Sequence, residues 1–195
     1  MDIVQAIEIF ATITGVAYVV LEILQKNAMW VVGVLTGMAC AYSFALQHLW
    51  ASMGLNIYYV VISFVGFYQW RKDSATLSHG NVSSTIHLRH LTLGTLLRSA
   101  AILVVASALL ALLLQRLGDG ESSLDAVVCV ASAIGTWWLA KSYPSQWLVW
   151  VAADILSTAL CARTGLWWMS GMYLVYCLSA IYGYVHWMKK GVWVD

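Results

Sequence analysis

The sequence predicts an all-α integral membrane protein of seven transmembrane helices, arranged as three, one and three with the outer threes as parallel repeats. Three observations predict it: too little charge to wet a soluble surface, seven apolar runs of spanning length, and an internal repeat. Of 195 residues, 62% are hydrophobic and 10% charged, and the mean hydropathy is +0.79. A soluble domain carries about a quarter charged residues, so lipid is expected to cover most of this exterior. The formal net charge of +1 points to no nucleic-acid or acidic partner.

A helix needs about 20 mostly apolar residues to cross the hydrocarbon core. Runs of that kind fall at 7–24, 29–46, 54–70, 96–114, 124–140, 146–162 and 168–187. The N-terminus has no basic region and no small-residue cleavage site, so the first run is expected to be retained as a span. The one long connection, 71–90, is rich in Ser, His and Thr and reads as a solvated linker.

Seven spans put the termini on opposite sides. One side then carries Lys26, Arg71, Lys72, Arg89, Lys141, Lys189 and Lys190, with Arg98 at the membrane edge. The other carries only Arg116 and Arg163, together with the acids Asp2, Asp119, Glu121 and Asp125. Seven cations against two place the C-terminus in the cytoplasm and the N-terminus outside the inner membrane.

Trp30 and Trp147 stand 117 positions apart. At that same offset Trp50 meets Trp167, Gly54 meets Gly171, Tyr59 meets Tyr176, Gly66 meets Gly183, and Trp70 meets Trp187. Val34/Val151, Ala45/Ala162 and Leu49/Leu166 also match, and Glu8 falls on Asp125, where an acid suits the positive end of a helix dipole. Between Arg71 and Thr136 there is no Phe, Trp or Tyr. The fourth span, rich in Leu, Ala and Val, is therefore a connector. The predicted organisation is 1–72 as a first three-helix unit, 73–120 as polar loop and connector, and 121–195 as a second unit. One connector between two odd-numbered units makes the repeats parallel, an arrangement that encloses substrate near the midplane of the bilayer.

The candidate binding face follows from an asymmetry between the repeats. Trp147, Trp150, Asp154 and Thr158 share one face of the sixth span at helical spacing. Their equivalents are Trp30, Gly33, Gly37 and Ala41, so the glycines are expected to leave volume that Trp150 and Asp154 line. A carboxylate beside aromatic rings holds a delocalised organic cation. Asp154 is nine residues from Arg163 and thirteen from Lys141. A charge so deep costs at least about 2.5–3.5 kcal/mol and should face a cavity or a partner. Bonding of a neutral Asp154 to a nearby Ser or Thr is the structural alternative. Glu22 pairs more simply with Lys26 at i+4. The third and seventh spans present matched stripes, Asn56, Tyr59, Ser63, Gly66 and Trp70 against Tyr173, Tyr176, Ala180, Gly183 and Trp187. Gln69 adds a polar group near the inner end. Glycines on these stripes suit close helix packing. Trp70 and Trp187 fit either an interfacial belt or a gate, and Trp50 and Trp167 fit the outer belt.

The segments GLNIYYVVISFVGFYQW (54–70), WLVWVAAD (147–154) and GMYLVYCLSAIYGYVHW (171–187) resemble the PnuC family of vitamin transporters, over nearly the whole chain. That resemblance implies a fold like the SWEET sugar transporters. It also implies facilitated diffusion of a cationic vitamin, nicotinamide riboside or alternatively thiamine, with trapping by a cytoplasmic kinase, and a possible homo-oligomer. Matching to the family places Trp147, Trp150, Asp154 and the polar aromatics of spans three and seven in the substrate pocket. The residue reading adds Trp30, Gly37, Asn56, Tyr59, Gln69, Tyr173 and Tyr176.

Physical reading favours the passive mechanism as well. Coupled carriers need several intramembrane ionisable groups, and only Asp154 is central here. With Pro144 as the single proline, motion should be rigid-body rocking rather than bending at kinks. An intramembrane enzyme would place His with Ser, Cys or Asp at depth, but His48, His79, His87, His90 and His186 lie in loops or at span ends. A haem protein would need facing axial ligands. Cys40, Cys129, Cys161 and Cys177 sit in apolar runs without metal spacing, so no metal or cofactor is expected. His79, His87 and His90 read as solvated loop residues. A receptor without transport is the remaining rival, and it leaves Asp154 unexplained.

Overall fold

A computed structural model of the chain describes residues 3–46, 50–79, 86–116, 122–163, 165 and 167–194. Expectations on Asp2, His48, Leu49, Asp119, Glu121 and Leu166, and on the side chains of Glu8, Trp50, His79 and Asp125, fall outside the described residues. Seven α-helices occur among those residues: α1 Ile3–Ile23, α2 Ala28–Leu46, α3 Trp50–His79, α4 Leu93–Arg116, α5 Ser122–Ala140, α6 Gln146–Arg163 and α7 Trp167–Lys190. Each matches one expected span, α1 ending one residue short of it. By length and composition alone, α2 and α4 are apolar enough to cross a membrane.

One expectation is corrected at the linker. The third helix continues nine residues past Trp70, and the end of the loop is not solvated: Ile86, His87 and Leu88 are buried. His87–Leu88 forms a strand, β1, parallel to a C-terminal strand, β2, Val192–Trp193. Val192 N donates to Ile86 O at 2.9 Å and Val194 N to Leu88 O at 2.9 Å. Two-residue strands leave no readable alternation in a polar segment, which is why the pattern missed them.

The chain divides into two compact units. The first comprises Met1–Arg89, Leu139–Ser142 and His186–Asp195; the second comprises His90–Trp138 and Tyr143–Val185. In the first unit α2 packs between α1 and α3. Its core is a tryptophan cluster. Trp30 meets Trp70 edge-on with centroids 5.0 Å apart, and Trp70 meets Trp187 at 6.2 Å. All three are at most 1% exposed, so Trp70 and Trp187 are core residues and not an interfacial belt. A Cβ on Gly66 would overlap the Trp30 ring, so any larger residue there must displace that indole.

Helices α1 and α5 end in the same way. Gln25 N donates to Glu22 O and Lys26 N to Leu21 O; Ser142 N donates to Leu139 O and Tyr143 N to Trp138 O. This is the paired-bond C-terminal cap whose C′ residue is left-handed and usually glycine. Here Gln25 has φ 49° and Ser142 φ 61°, and the two positions are again 117 apart. Gln25 is retained for its side chain. Its Nε2 donates to His87 O at 3.0 Å, and its Oε1 accepts from His87 N at 2.7 Å. Ser142 holds the same strand through its backbone, accepting Arg89 N at 3.1 Å.

Below this strand lies a buried carboxylate. Asp73 accepts Arg89 Nη2 at 2.7 Å and Arg89 Nε at 3.3 Å, and it accepts Gln69 Nε2 at 3.0 Å. His87 Nε2 stands 3.8 Å from its second oxygen.

The second unit is built on α4, α5, α6 and most of α7. A single residue of α4, Ser107, is buried among those described. Trp138 Nε1 donates to Ser99 Oγ at 3.1 Å, and Ser107 Oγ approaches Ala126 O at 3.5 Å. Ser170 Oγ donates to Thr158 O at 3.1 Å. Gly183 lies under the Trp147 ring, where a Cβ would come within 2.6 Å of Cη2. The Trp30–Gly66 contact of the first unit therefore recurs as Trp147–Gly183 in the second.

Candidate functional site

Helix α6 starts just after Pro144, whose carbonyl accepts Trp147 N at 3.1 Å. Its 3.6-residue period then stacks Trp147, Trp150, Asp154 and Thr158 along one face. Trp147 is 2% exposed and Asp154 8%, so the face turns inward and not to lipid. The outward-facing Leu148, Ile155 and Leu156 are exposed as a lipid contact requires.

Asp154 is chemically conspicuous. The Thr158 hydroxyl, its nearest candidate partner on the helix, donates to the Asp154 backbone carbonyl at 2.7 Å and not to the carboxylate. Among the described residues the carboxylate has no hydrogen bond or ion pair. One turn earlier, Trp150 Nε1 is also buried without a partner among the described residues. A buried donor left unmet is costly unless something satisfies it. An aromatic face, an N–H and a carboxylate together can hold a flat cation and one of its polar substituents.

The other expected residues are distributed unevenly. Tyr173 and Tyr176 pack together on α7 with ring centroids 6.4 Å apart. Tyr59 lies beside Tyr58 at 6.0 Å. Asn56 spends an amide proton on its own helix, donating to Ser52 O at 2.9 Å. Gln69 is committed to Asp73. Trp30 belongs to the tryptophan core of the first unit, although its Nε1 is buried and unpartnered among the described residues.

The volume expected beside the glycines of α2 is corrected. A Cβ on Gly33 would stand 3.1 Å from the Tyr18 ring and 3.1 Å from Ser63 Oγ. One on Gly37 would stand 3.0 Å from Val60 and 3.3 Å from Asn56 O. Gly37 thus lets α2 and α3 approach and leaves no room for a ligand, because close helix packing uses the space a missing side chain provides.

Sequence reasoning did not single out Gln25, Ser142, Tyr18 or Gly135. The repeat offset contained the signal, since it maps Gln25 onto Ser142 and Tyr18 onto Gly135. Among the described residues no group of three or more His, Cys, Asp or Glu side chains could hold a metal ion.

The family profile described as nicotinamide mononucleotide transporter matches residues 5–189. The chain belongs to this family. The nicotinamide riboside transporter PnuC of Neisseria mucosa is 30% identical over 188 residues, covering 92% of this chain and 70% of that protein. Its counterpart from Haemophilus influenzae is 25% identical, covering 91% of this chain and 76% of the relative. A crystal structure of the vitamin B3 transporter PnuC superposes with a TM-score of 0.69 at 28% identity, over 92% of this chain and 79% of that one. The resemblance to PnuC carried by residues 54–70, 147–154 and 171–187 therefore extends through the whole fold. Members of this nicotinamide mononucleotide transporter family are membrane transporters, and the chain is a transporter and not an enzyme.

Proposed function

We propose that the chain carries nicotinamide riboside across the inner membrane by facilitated diffusion, with the cargo trapped by a cytoplasmic kinase. The observation that carries this reading is the unpartnered Asp154 carboxylate, buried one helical turn from the unpartnered indole N–H of Trp150. The riboside bears a positive pyridinium ring, so it satisfies both the carboxylate and the aromatic wall. The mononucleotide adds a phosphate, which makes its net charge negative. Between Gln146 and Ala162, α6 offers no cation to receive that phosphate. The same chemistry favours the unphosphorylated cargo named for the relatives. Thiamine is the alternative cation.

The proposed contact residues are Trp147, Trp150, Asp154, Tyr173 and Tyr176, all of the second unit. Residues 1–72 and 121–195 are proposed as parallel repeats joined by 73–120, in a SWEET-like plan with the C-terminus in the cytoplasm. Support comes from contacts that recur 117 positions apart: Trp30–Gly66 with Trp147–Gly183, and the Gln25 cap with the Ser142 cap.

Purified protein titrated with nicotinamide riboside, thiamine and nicotinamide mononucleotide tests the cargo. The riboside should bind most tightly, and Asp154→Asn should weaken it at least tenfold, about 1.4 kcal/mol. Unchanged affinity would remove Asp154 from the site. In proteoliposomes, initial uptake should survive collapse of the proton gradient; loss of uptake would mean coupling, and saturable binding without uptake would mean a receptor.

A further inference from the structure

The two units solve one packing problem in opposite ways. In the first, α1 supplies the aromatic, Tyr18, and α2 supplies the glycine, Gly33, with the ring 3.1 Å from where a Cβ would stand. In the second, the equivalent positions are exchanged: α5 supplies the glycine, Gly135, and α6 supplies the aromatic, Trp150. A Cβ on Gly135 would lie 3.5 Å from Trp150 Cε2, 3.6 Å from Trp150 Cζ2 and 3.4 Å from Val149 Cγ1.

We infer that Gly135 is a positioning residue for substrate binding, setting the place of the Trp150 indole by leaving α5 bare beneath it. The inference rests on the assignment of Trp150 and Asp154 to the cargo. On α6 an aromatic at position 150 lies one turn from the carboxylate. The flanking helix must then give up its own side chain, and in the second unit it has done so. Cε2 is the ring carbon that bears Nε1, so the edge of the indole against Gly135 is the edge carrying the unpartnered N–H. A shift of that edge moves the donor itself.

The distances grade the effect. A methyl at 3.4–3.6 Å makes ordinary contact, so Gly135→Ala fits without displacing the ring. A branched side chain extends about 1.5 Å further and must push either Val149 or the indole. Affinity should therefore fall with side-chain volume.

The experiment is a double-mutant cycle on detergent-purified protein, titrated with nicotinamide riboside, with thermal stability followed in parallel. Gly135→Ala should bind within twofold of the parent, Gly135→Ser about threefold weaker and Gly135→Val at least tenfold weaker. Trp150→Phe alone should also weaken binding. In the Trp150→Phe background, where the smaller ring leaves room, Gly135→Val should cost less than twofold, because the two sites are coupled. A purely structural role would lower thermal stability and leave this coupling absent. The inference is overturned if Gly135→Val binds like the parent, or if it costs the same tenfold in both backgrounds. If Gly135→Val fails to fold, the serine variant decides on the same criterion. Unchanged binding by Trp150→Phe would instead defeat the assignment of Trp150 to the cargo.

Discussion

Trp70 and Trp187 make the same hydrogen bond at positions 117 residues apart, and each makes it to the opposite half of the sequence. Trp70 Nε1 donates to Leu139 O at 3.1 Å, at the end of α5; Trp187 Nε1 donates to Glu22 O at 3.2 Å and Ile23 O at 3.0 Å, at the end of α1. Glu22 and Leu139 are themselves 117 apart. These carbonyls belong to the last turns of their helices, where backbone acceptors lack intrahelical donors. Leu139 O and Glu22 O also accept the cap bonds from Ser142 N and Gln25 N, so each indole adds a second bond to a capped carbonyl, and Trp187 reaches Ile23 O as well.

Trp70→Phe and Trp187→Phe should therefore each destabilise the protein by about 2–4 kcal/mol, combining a lost buried hydrogen bond with a cavity. Because the rings touch, the double variant should lose less than the sum. Thermal melting in detergent of the two single variants and the double checks this. Strict additivity would argue that the two rings act independently.

The left-handed caps give a prediction of opposite sign at two matched residues. Gln25 holds both backbone groups of His87, so Gln25→Ala should cost about 2–3 kcal/mol by leaving them unsatisfied. Ser142 holds Arg89 through its carbonyl, which glycine keeps. Its Oγ is buried without a partner among the described residues, and at φ 61° a β-carbon is unfavourable. Ser142→Gly should raise stability by up to about 1 kcal/mol. Melting temperatures of the two variants should move in opposite directions.

Asp73 is 2% exposed and carries two bonds from Arg89. Arg89 is itself half-buried and Gln69 still donates to the carboxylate, so removing the guanidinium and stranding the charge should cost less than the about 3–5 kcal/mol typical of a fully buried pair. Arg89→Met should therefore destabilise more than the double variant Asp73→Asn/Arg89→Met, in which the stranded carboxylate is gone. Chemical unfolding of both, followed by tryptophan fluorescence, measures the order. The reverse order would mean that the guanidinium acts through packing alone.

The sequence made some levels of this molecule readable and hid others. Apolar length sufficed for all seven helices, because crossing a membrane demands it whatever the tertiary packing. The Trp147–Trp150–Asp154 face was readable because helical spacing is a local property. The offset of 117 was readable as identity, Trp on Trp and Gly on Gly. Its more informative entries are complementary: Tyr18 and Gly33 become Gly135 and Trp150, a swap that similarity does not detect. The clasp of β1 and β2 was hidden for another reason. It joins His87 to Val192, two short segments far apart in the chain, and nothing in either announces the other.

The glycines of α3 and α7 provide the sharpest separation of structural from incidental identity. Gly54 and Gly171 match across the repeat, as do Gly66 and Gly183, so the sequence treats both pairs alike. The structure does not. A Cβ on Gly54 or Gly171 would meet nothing within 4 Å, whereas one on Gly66 would overlap Trp30 and one on Gly183 would come within 2.6 Å of Trp147. Alanine at Gly54 or Gly171 should be neutral or stabilise by about 0.5–1 kcal/mol, the usual gain for alanine in a helix. Alanine at Gly66 or Gly183 must displace a buried indole from a packed core, at about 1–3 kcal/mol or more. Size-exclusion profiles and melting temperatures of the four variants should split two against two. An intact, equally stable Gly66→Ala protein would show that the Trp30 ring has room to move, and would weaken the claim that these tryptophans fix the ends of the helices they touch.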